Sequence, residues 1–217
     1  MSSGLDQVVN SCYSKLLYEY DNFMDRWETF AVKKGVNIFV NKNYDIHMYM
    51  GSVTIETCLT QDQVSELIKS LHIDVATMKK WDKRLSNLEI LSMSDDTAVV
   101  YASYHFEGSL MIKDRDFLFA FKKYVDEKQR IHFVSTSVEK HGEKLNSNFV
   151  RGKILTNGWL VQKIPNEPNK FTFIYVVQTD PCGKITPWLV NKVSVDRILL
   201  INKIKAYIET NHPKKKL

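Results

Sequence analysis

The chain has 217 residues, 44% hydrophobic and 25% charged, with 30 Lys+Arg against 25 Asp+Glu and a formal net charge of +5. That composition fits one ordinary globular domain with a sizeable core and excludes global disorder. Unbroken apolar runs such as Phe117 to Phe121 and Ile198 to Ile201 fall far short of the roughly 18 residues a membrane-spanning helix needs.

Leu5, Val8, Val9, Cys12, Leu16 and Tyr20 recur at helical spacing, which predicts an amphipathic opening helix ending before Asp25. Three runs rich in β-branched and aromatic residues follow, Trp27 to Lys33, Val36 to Asn41 and His47 to Thr54. The short polar breaks between them predict consecutive antiparallel hairpins. Thr60 and Gln63 have the spacing of a capping box ahead of Val64, Leu67, Ile68 and Leu71, so a helix is predicted to start there. A second short helix runs through Met78 and Trp81.

Six more extended segments come next: Leu88 to Met93, Thr97 to His105, Arg115 to Tyr124, Ile131 to Val138, Val150 to Ile164 and Phe171 to Thr179. Most of their connections are short and polar, but the one between His105 and Arg115 carries Leu110, Met111 and Ile112 where turn chemistry predicts polar residues. Thr186 and Pro187 read as an N-cap hydroxyl followed by a proline at the first helical position. The helix they open is predicted to continue unbroken to about Thr210 as the longest in the chain, with Leu189, Val190, Val193, Leu200, Ile201, Ile204 and Ile208 on one broad face. No repeat, low-complexity tract or linker divides residues 1–217, so a single domain is expected.

Local signals for chemistry are missing. The eight glycines form no phosphate-binding loop, there is no nucleophile elbow, and the histidines and cysteines show no metal-ligand spacing. No catalytic residue, metal or cofactor is therefore expected, and no nucleic acid, since a modest basic excess alone does not imply one. Cys12, Cys58 and Cys182 are odd in number and far apart, which fits a reducing compartment. The N-terminus has neither a basic nor an apolar leader region, so a cytoplasmic location is expected for the chain as it stands.

The strands do carry an unusual pattern. Period 2 puts Val99, Tyr101, Ser103 and His105 on one face, Arg115, Phe117, Phe119 and Phe121 on another, and Arg151, Lys153, Leu155 and Asn157 on a third. Two readings fit: polar ends at the sheet margins with buried aromatics between, or a lined cavity. Arg115 and Asp116 are adjacent, so their side chains point to opposite faces and cannot both line one interior.

Four motifs in order resemble the StAR-related lipid transfer (START) domains: Lys80, Trp81 and Asp82; Asp114 to Phe117; Val150 to Gly152 with Gly158 and Trp159; and Asp180 to Asn191 leading into the last helix. The resemblance covers nearly the whole chain, and the layout is nearest to the family's free-standing phosphatidylcholine carriers. It implies an α+β helix-grip fold: a curved nine-stranded antiparallel sheet around a long C-terminal helix, with an N-terminal helix and two short helices between strands 3 and 4. It also implies a non-enzymatic carrier that holds one phospholipid in an internal tunnel, docks transiently on membranes and acts as a monomer.

By the same resemblance Tyr101 and Phe117 occupy positions of aromatics around choline, an arrangement suited to cation–π attraction. Met78 stands where such carriers have a phosphate-binding arginine, and Leu155 where they have a third aromatic; Arg151, Lys153 or a shifted Lys79 are the candidates to replace the charge. Ser103, Phe119, Asn157 and Val193 complete the expected lipid-binding set. Leu110, Met111 and Ile112 match the family's lid loop, expected either to fold onto the core or to insert into a membrane. Lys192, Lys203, Lys205 and Lys214 to Lys216 are expected to add attraction to anionic lipid. Trp81, Trp159 and Trp188 are expected to be packing anchors. Broad phospholipid specificity is the first expectation; a ceramide or sterol carrier, a lipid sensor without transfer activity, and an enzyme using a pair such as His132 with a carboxylate are the alternatives.

Overall fold

The computed structural model describes residues 2–94, 97–105, 112–139 and 148–214. In chain order the elements are α1 (Ser2–Asp21), α2 (Phe23–Arg26), β1 (Glu28–Lys33), β2 (Val36–Asn41), β3 (Met48–Glu56), α3 (Gln61–Ile73), α4 (Val75–Trp81), β4 (Leu85–Ser94) and β5 (Thr97–Tyr104). They continue with β6 (Arg115–Val125), β7 (Ile131–Ser137), β8 (Val150–Arg151), β9 (Lys153–Ile164), β10 (Glu167–Asp180), α5 (Pro187–Ile198) and α6 (Leu200–Asn211). Nine strands follow the order β1-β2-β3-β10-β9-β7-β6-β5-β4, each antiparallel to its neighbours, while the two-residue β8 pairs parallel with β6.

Local chemistry explains many boundaries. Lys34 (φ 52°) and Gly35 (φ 76°) form the two left-handed residues that a tight β1–β2 hairpin requires. Thr60 Oγ1 accepts from the Gln63 backbone N–H at 3.3 Å, and Gln63 Oε1 accepts from the Thr60 N–H at 2.9 Å, so the capping box is complete. Asp74 caps α4 in turn, accepting from the Ala76 N–H at 3.0 Å.

Two expected elements are divided. The run from Val150 to Ile164 breaks at Gly152, whose N–H donates to Asp116 O at 2.9 Å. A Cβ there would lie 2.3 Å from the Phe117 ring, so only glycine lets that ring settle against the backbone. The C-terminal helix is likewise split at Leu199, which keeps helical dihedrals (φ −66°, ψ −11°) while its N–H is shared between the Val195 and Arg197 carbonyls. Each half has 12 residues, so α1 with 20 is the longest helix. The Thr186 hydroxyl makes no capping bond; its carbonyl instead accepts from the Leu189 and Val190 N–H groups behind Pro187.

The two sheet faces are covered differently. On one, α1 packs Val9, Cys12 and Leu16 against Met48, Met50, Ala120, Val134 and Val176. Glu19, fully buried, fixes that helix by accepting from Arg26 Nε, Asn41 Nδ2 and Tyr44 Oη. The other face is gripped by α5 and α6 and holds the main core, including Phe119, Phe121, Phe133, Trp159, Phe171, Phe173 and Tyr175. Phe121 stacks on Phe133, and Trp159 stacks on both Phe173 and Tyr175. Each such pair adds about 0.5–1.5 kcal/mol beyond area burial. Ile198 of α5 comes so close to Gly51 that a Cβ there would be 2.4 Å from its methyl carbon.

Among the described residues no helix is long and apolar enough to cross a membrane, and no three His, Cys, Asp or Glu side chains gather in a metal-binding cluster.

Candidate lipid-binding site

Between α5 and the gripped face of the sheet lies a cavity of about 300 Å³. Its apolar walls are Phe117, Ile154, Val177, Leu189, Val190 and Val193, and its polar boundary includes Arg84, His105, Arg115, Asn157, Lys192, Asp196 and Arg197. Apolar walls with a few convergent polar groups are the signature of a small-molecule site.

Strand register decides which predicted residues reach it. Ala102 pairs with Phe117 and Tyr101 with Leu118, and directly paired residues share a face. Phe117 therefore faces the cavity, while Tyr101 points to the opposite side with Val99 and Leu118. Ser103, paired with Asp116, points that way too and hydrogen-bonds Ser86 Oγ at 2.6 Å. Arg151 also lies there, donating to both Asp116 oxygens at 2.9 Å with its guanidinium 5.9 Å from the Tyr101 ring. The expected choline-facing set is thus split between two sides of the sheet.

Leu155 is displaced for another reason. Gln178 pairs with Thr156 but Thr179 pairs with Ile154, a β-bulge that leaves Leu155 unpaired and 37% exposed. The bulge turns Ile154 inward in its place, whereas Asn157 on the regular side of it lines the cavity. Val193 lines it from α5. Phe119 and Met78 pack in or against the main core away from the cavity wall. Ile112 is half-buried, and Leu110 and Met111 lie outside the described residues.

The remaining wall comes from residues that single-strand periodicity does not single out. Tyr104, two positions on from Ala102, stands edge-on to Phe117 with ring centroids 5.8 Å apart. Burial pushes its phenol pKa up from the ordinary value. Arg115 is buried and donates to the carbonyls of Lys113, Pro181 and Cys182, clamping the β10–α5 connection. That connection is itself shaped by left-handed residues at Cys182 (φ 52°) and Gly183 (φ 73°), and by Asp180 Oδ1 accepting from the Cys182 N–H at 2.7 Å. Burial also disfavours the charged form of Arg115.

A charged cluster closes one side. Asp82, 3% exposed at the end of α4, accepts from Arg197 Nη1 of α5, and Arg84 Nε stands 3.6 Å from its other oxygen. The Arg197 guanidinium lies 5.1 Å from the Tyr104 ring centroid, and burial presses its pKa down to about 10.

The outer rim is exposed. Trp188 is 69% exposed at the start of α5, with Lys192 Nζ 5.4 Å from its ring, so it is not a packing anchor. Trp159 is buried, and Trp81 packs edge-on to Tyr207. Lys203, Lys205 and Lys214 are engaged with Trp81 O, Glu209 and Glu56 respectively, and Lys215 and Lys216 lie outside the described residues; of the expected set, Lys192 lines the cavity rim. His132 is not at the cavity; it is buried beneath α1 beside Tyr13 and Tyr20.

Comparison with known proteins gives a consistent result. Phosphatidylcholine transfer protein from Bos taurus is 25% identical over 76% of this chain and 75% of its own length. START domain-containing protein 10 from Mus musculus is 24% identical over 77% of this chain, but the match spans only 56% of that relative. The fold is shared with human StAR-related lipid transfer protein 5, at a TM-score of 0.80 and 20% identity, covering 97% of this chain and 99% of that one. The START domain family model matches residues 24–214, and the chain therefore belongs to the START family of lipid transfer domains.

Proposed function

We propose that this protein is a carrier that takes one phospholipid into the cavity beneath α5 and moves it between membranes, acting as a single lipid-binding domain. The observation that carries the reading is the cavity itself: apolar walls from β6, β9, β10 and α5, bounded by polar groups and set in a START domain. The relationship to bovine phosphatidylcholine transfer protein supports a phospholipid as cargo.

Cargo size adds a requirement. A 150 Å³ cavity holds a benzene, about 25 Å³ per carbon, so about 300 Å³ holds roughly a dozen non-hydrogen atoms. A diacyl lipid is several times larger, so loading must move α5 away from the sheet. Its roughly 30 chain methylenes, at about 0.8 kcal/mol each, hold it in a bilayer by on the order of 25 kcal/mol, which only a nearly complete apolar replacement can offset. Lys192 at the rim and the exposed Trp188 beside it on α5 supply the pairing of aromatic ring and cation suited to a lipid–water interface.

The test is transfer of fluorescent phospholipid between liposomes by the purified chain, with native mass spectrometry of the protein as isolated. Accelerated transfer and a phospholipid-sized mass increment are expected. A transfer rate equal to the spontaneous one, with no bound lipid, would overturn the reading.

A further inference from the structure

The polar boundary of the cavity is cationic. Among the described residues Arg84, Arg115, Lys192 and Arg197 line it with one carboxylate, Asp196, while Asp82 and Asp114 stand behind the wall. Arg115 donates to the Lys113, Pro181 and Cys182 carbonyls and is engaged in clamping the β10–α5 connection, so the anion-holding role falls to the other two arginines. Asp82 serves two arginines at once. Its bond to Arg197 uses one nitrogen, and the Arg84 guanidinium donates no hydrogen bond to any described residue. Each therefore retains donors, and two guanidinium groups flanking one buried carboxylate are held where a further anion completes the neutralisation. Asn157 points the same way: its Oδ1 accepts from the Gln178 N–H at 3.2 Å, which leaves its amide group as a donor on the cavity wall.

The same boundary is unsuited to a quaternary ammonium. Among the described residues the lining aromatics are Tyr104 and Phe117. Arg197 already lies over the Tyr104 face, and Phe117 is held between Tyr104 and the Gly152 backbone. Among the described residues a choline group finds no open aromatic cage, and it would meet the lining cations Arg84, Lys192 and Arg197.

We infer that the cavity selects lipids with a net negative phosphate headgroup over zwitterionic choline lipids, the phosphate being held by Arg84 and Arg197 with Asp82 as the positioning residue. This rests on the phospholipid-carrier reading and names its cargo more narrowly. The experiment compares trace fluorescent phosphatidic acid with trace fluorescent phosphatidylcholine in donor vesicles of otherwise identical composition, so that docking on the membrane is the same in both arms.

Transfer of phosphatidic acid is expected to exceed that of phosphatidylcholine by about tenfold or more, the factor one charge-assisted hydrogen bond supplies. Arg84→Gln is expected to bring the ratio towards one. Arg197→Gln should do the same; because it also strips Asp82 of its main partner, Arg84→Gln is the variant that decides if Arg197→Gln does not fold. Millimolar inorganic phosphate is expected to leave the ratio unchanged. A wild-type ratio near one, or a ratio unmoved by Arg84→Gln, overturns the headgroup inference while transfer itself still stands. Loss of phosphatidic acid transfer on adding phosphate would assign the arginines to a free anion instead. If neither lipid moves, the carrier reading falls with it.

Discussion

Val193 offers a direct way to remove the cavity without touching its charges. It lies on α5, half-buried, with its side chain on the cavity wall. Val193→Trp adds seven non-hydrogen atoms, which at about 25 Å³ each occupy roughly 175 Å³ of a 300 Å³ space. What remains is smaller than the volume that admits a benzene. Filling a void also recovers contacts, at about 24 cal/mol per Å³, so an upper bound of about 4 kcal/mol of added stability accompanies the loss of space. The two effects run in opposite directions, which separates a blocked cavity from a damaged fold. Thermal unfolding followed by circular dichroism should show a melting temperature equal to or above wild type. Liposome transfer and lipid co-purification should fall tenfold or more. Undiminished transfer by a folded variant would refute the assignment of cargo to this cavity; Val193→Phe, with less added bulk, serves if the tryptophan cannot be accommodated.

Two further outcomes test the frame around the site. Gly51→Ala places a methyl group 2.4 Å from Ile198 and 3.2 Å from Val36, both β-branched side chains that cannot swing aside, so overpacking should cost about 1–3 kcal/mol and lower the melting temperature by roughly 2–4 °C for each kcal/mol; an unchanged melting temperature would mean that α5 is not pressed on β3. His132 is 1% exposed, and burial pushes its pKa below 6.5, a shift only partly opposed by Asp126 Oδ2 at 3.1 Å. The unfolded chain then binds the proton more readily, so this contribution to stability is full above about pH 6.5 and declines as pH falls through that value. Melting temperatures measured from about pH 7.5 to 5.5 should fall, and His132→Asn should flatten that fall; an equal slope in both proteins would place the titrating group elsewhere.

Strand positions were legible in the sequence because hairpin turns and the Thr60 cap are local chemistry, settled within a few residues. Faces were harder to read. β5 is buried on both sides, with Val99 and Tyr101 packed near Leu5 of α1 and Val100 and Ala102 in the main core, so no polar alternation marks which face is which. Pairing resolves it, since Phe117 opposite Ala102 sends Tyr101 outwards, but pairing register is a long-range property. Parity did succeed where it needed no partner, as Arg115 and Asp116 lie on opposite faces. It failed at Leu155 because one bulged residue inverts everything beyond it along the strand. Arg197 was invisible for the same reason that it matters: in a helix it reads as solvated, and its carboxylate partner lies 115 residues away.

On the proposed carrier reading, the way α5 is held explains how a small cavity and a large cargo are compatible. Lifting that helix in water uncovers Val195 and Ile198, both buried, at about 1.5–3 kcal/mol each, and breaks the Arg197–Asp82 pair. Roughly 3–6 kcal/mol from the apolar side chains alone keeps the open form below about one molecule in a hundred. Against a bilayer the same side chains meet hydrocarbon instead of water, and most of that cost disappears. In the proposed loading step the lipid chains would take over the contacts that α5 gives up, so closure around cargo would restore what opening lost. A small cavity of about 300 Å³, open at its Lys192 rim, is therefore the resting form that the proposed carrier role requires in water. A cavity already wide enough for two acyl chains would expose or leave empty the apolar surface that Phe117, Ile154, Val177 and Val193 now cover for one another.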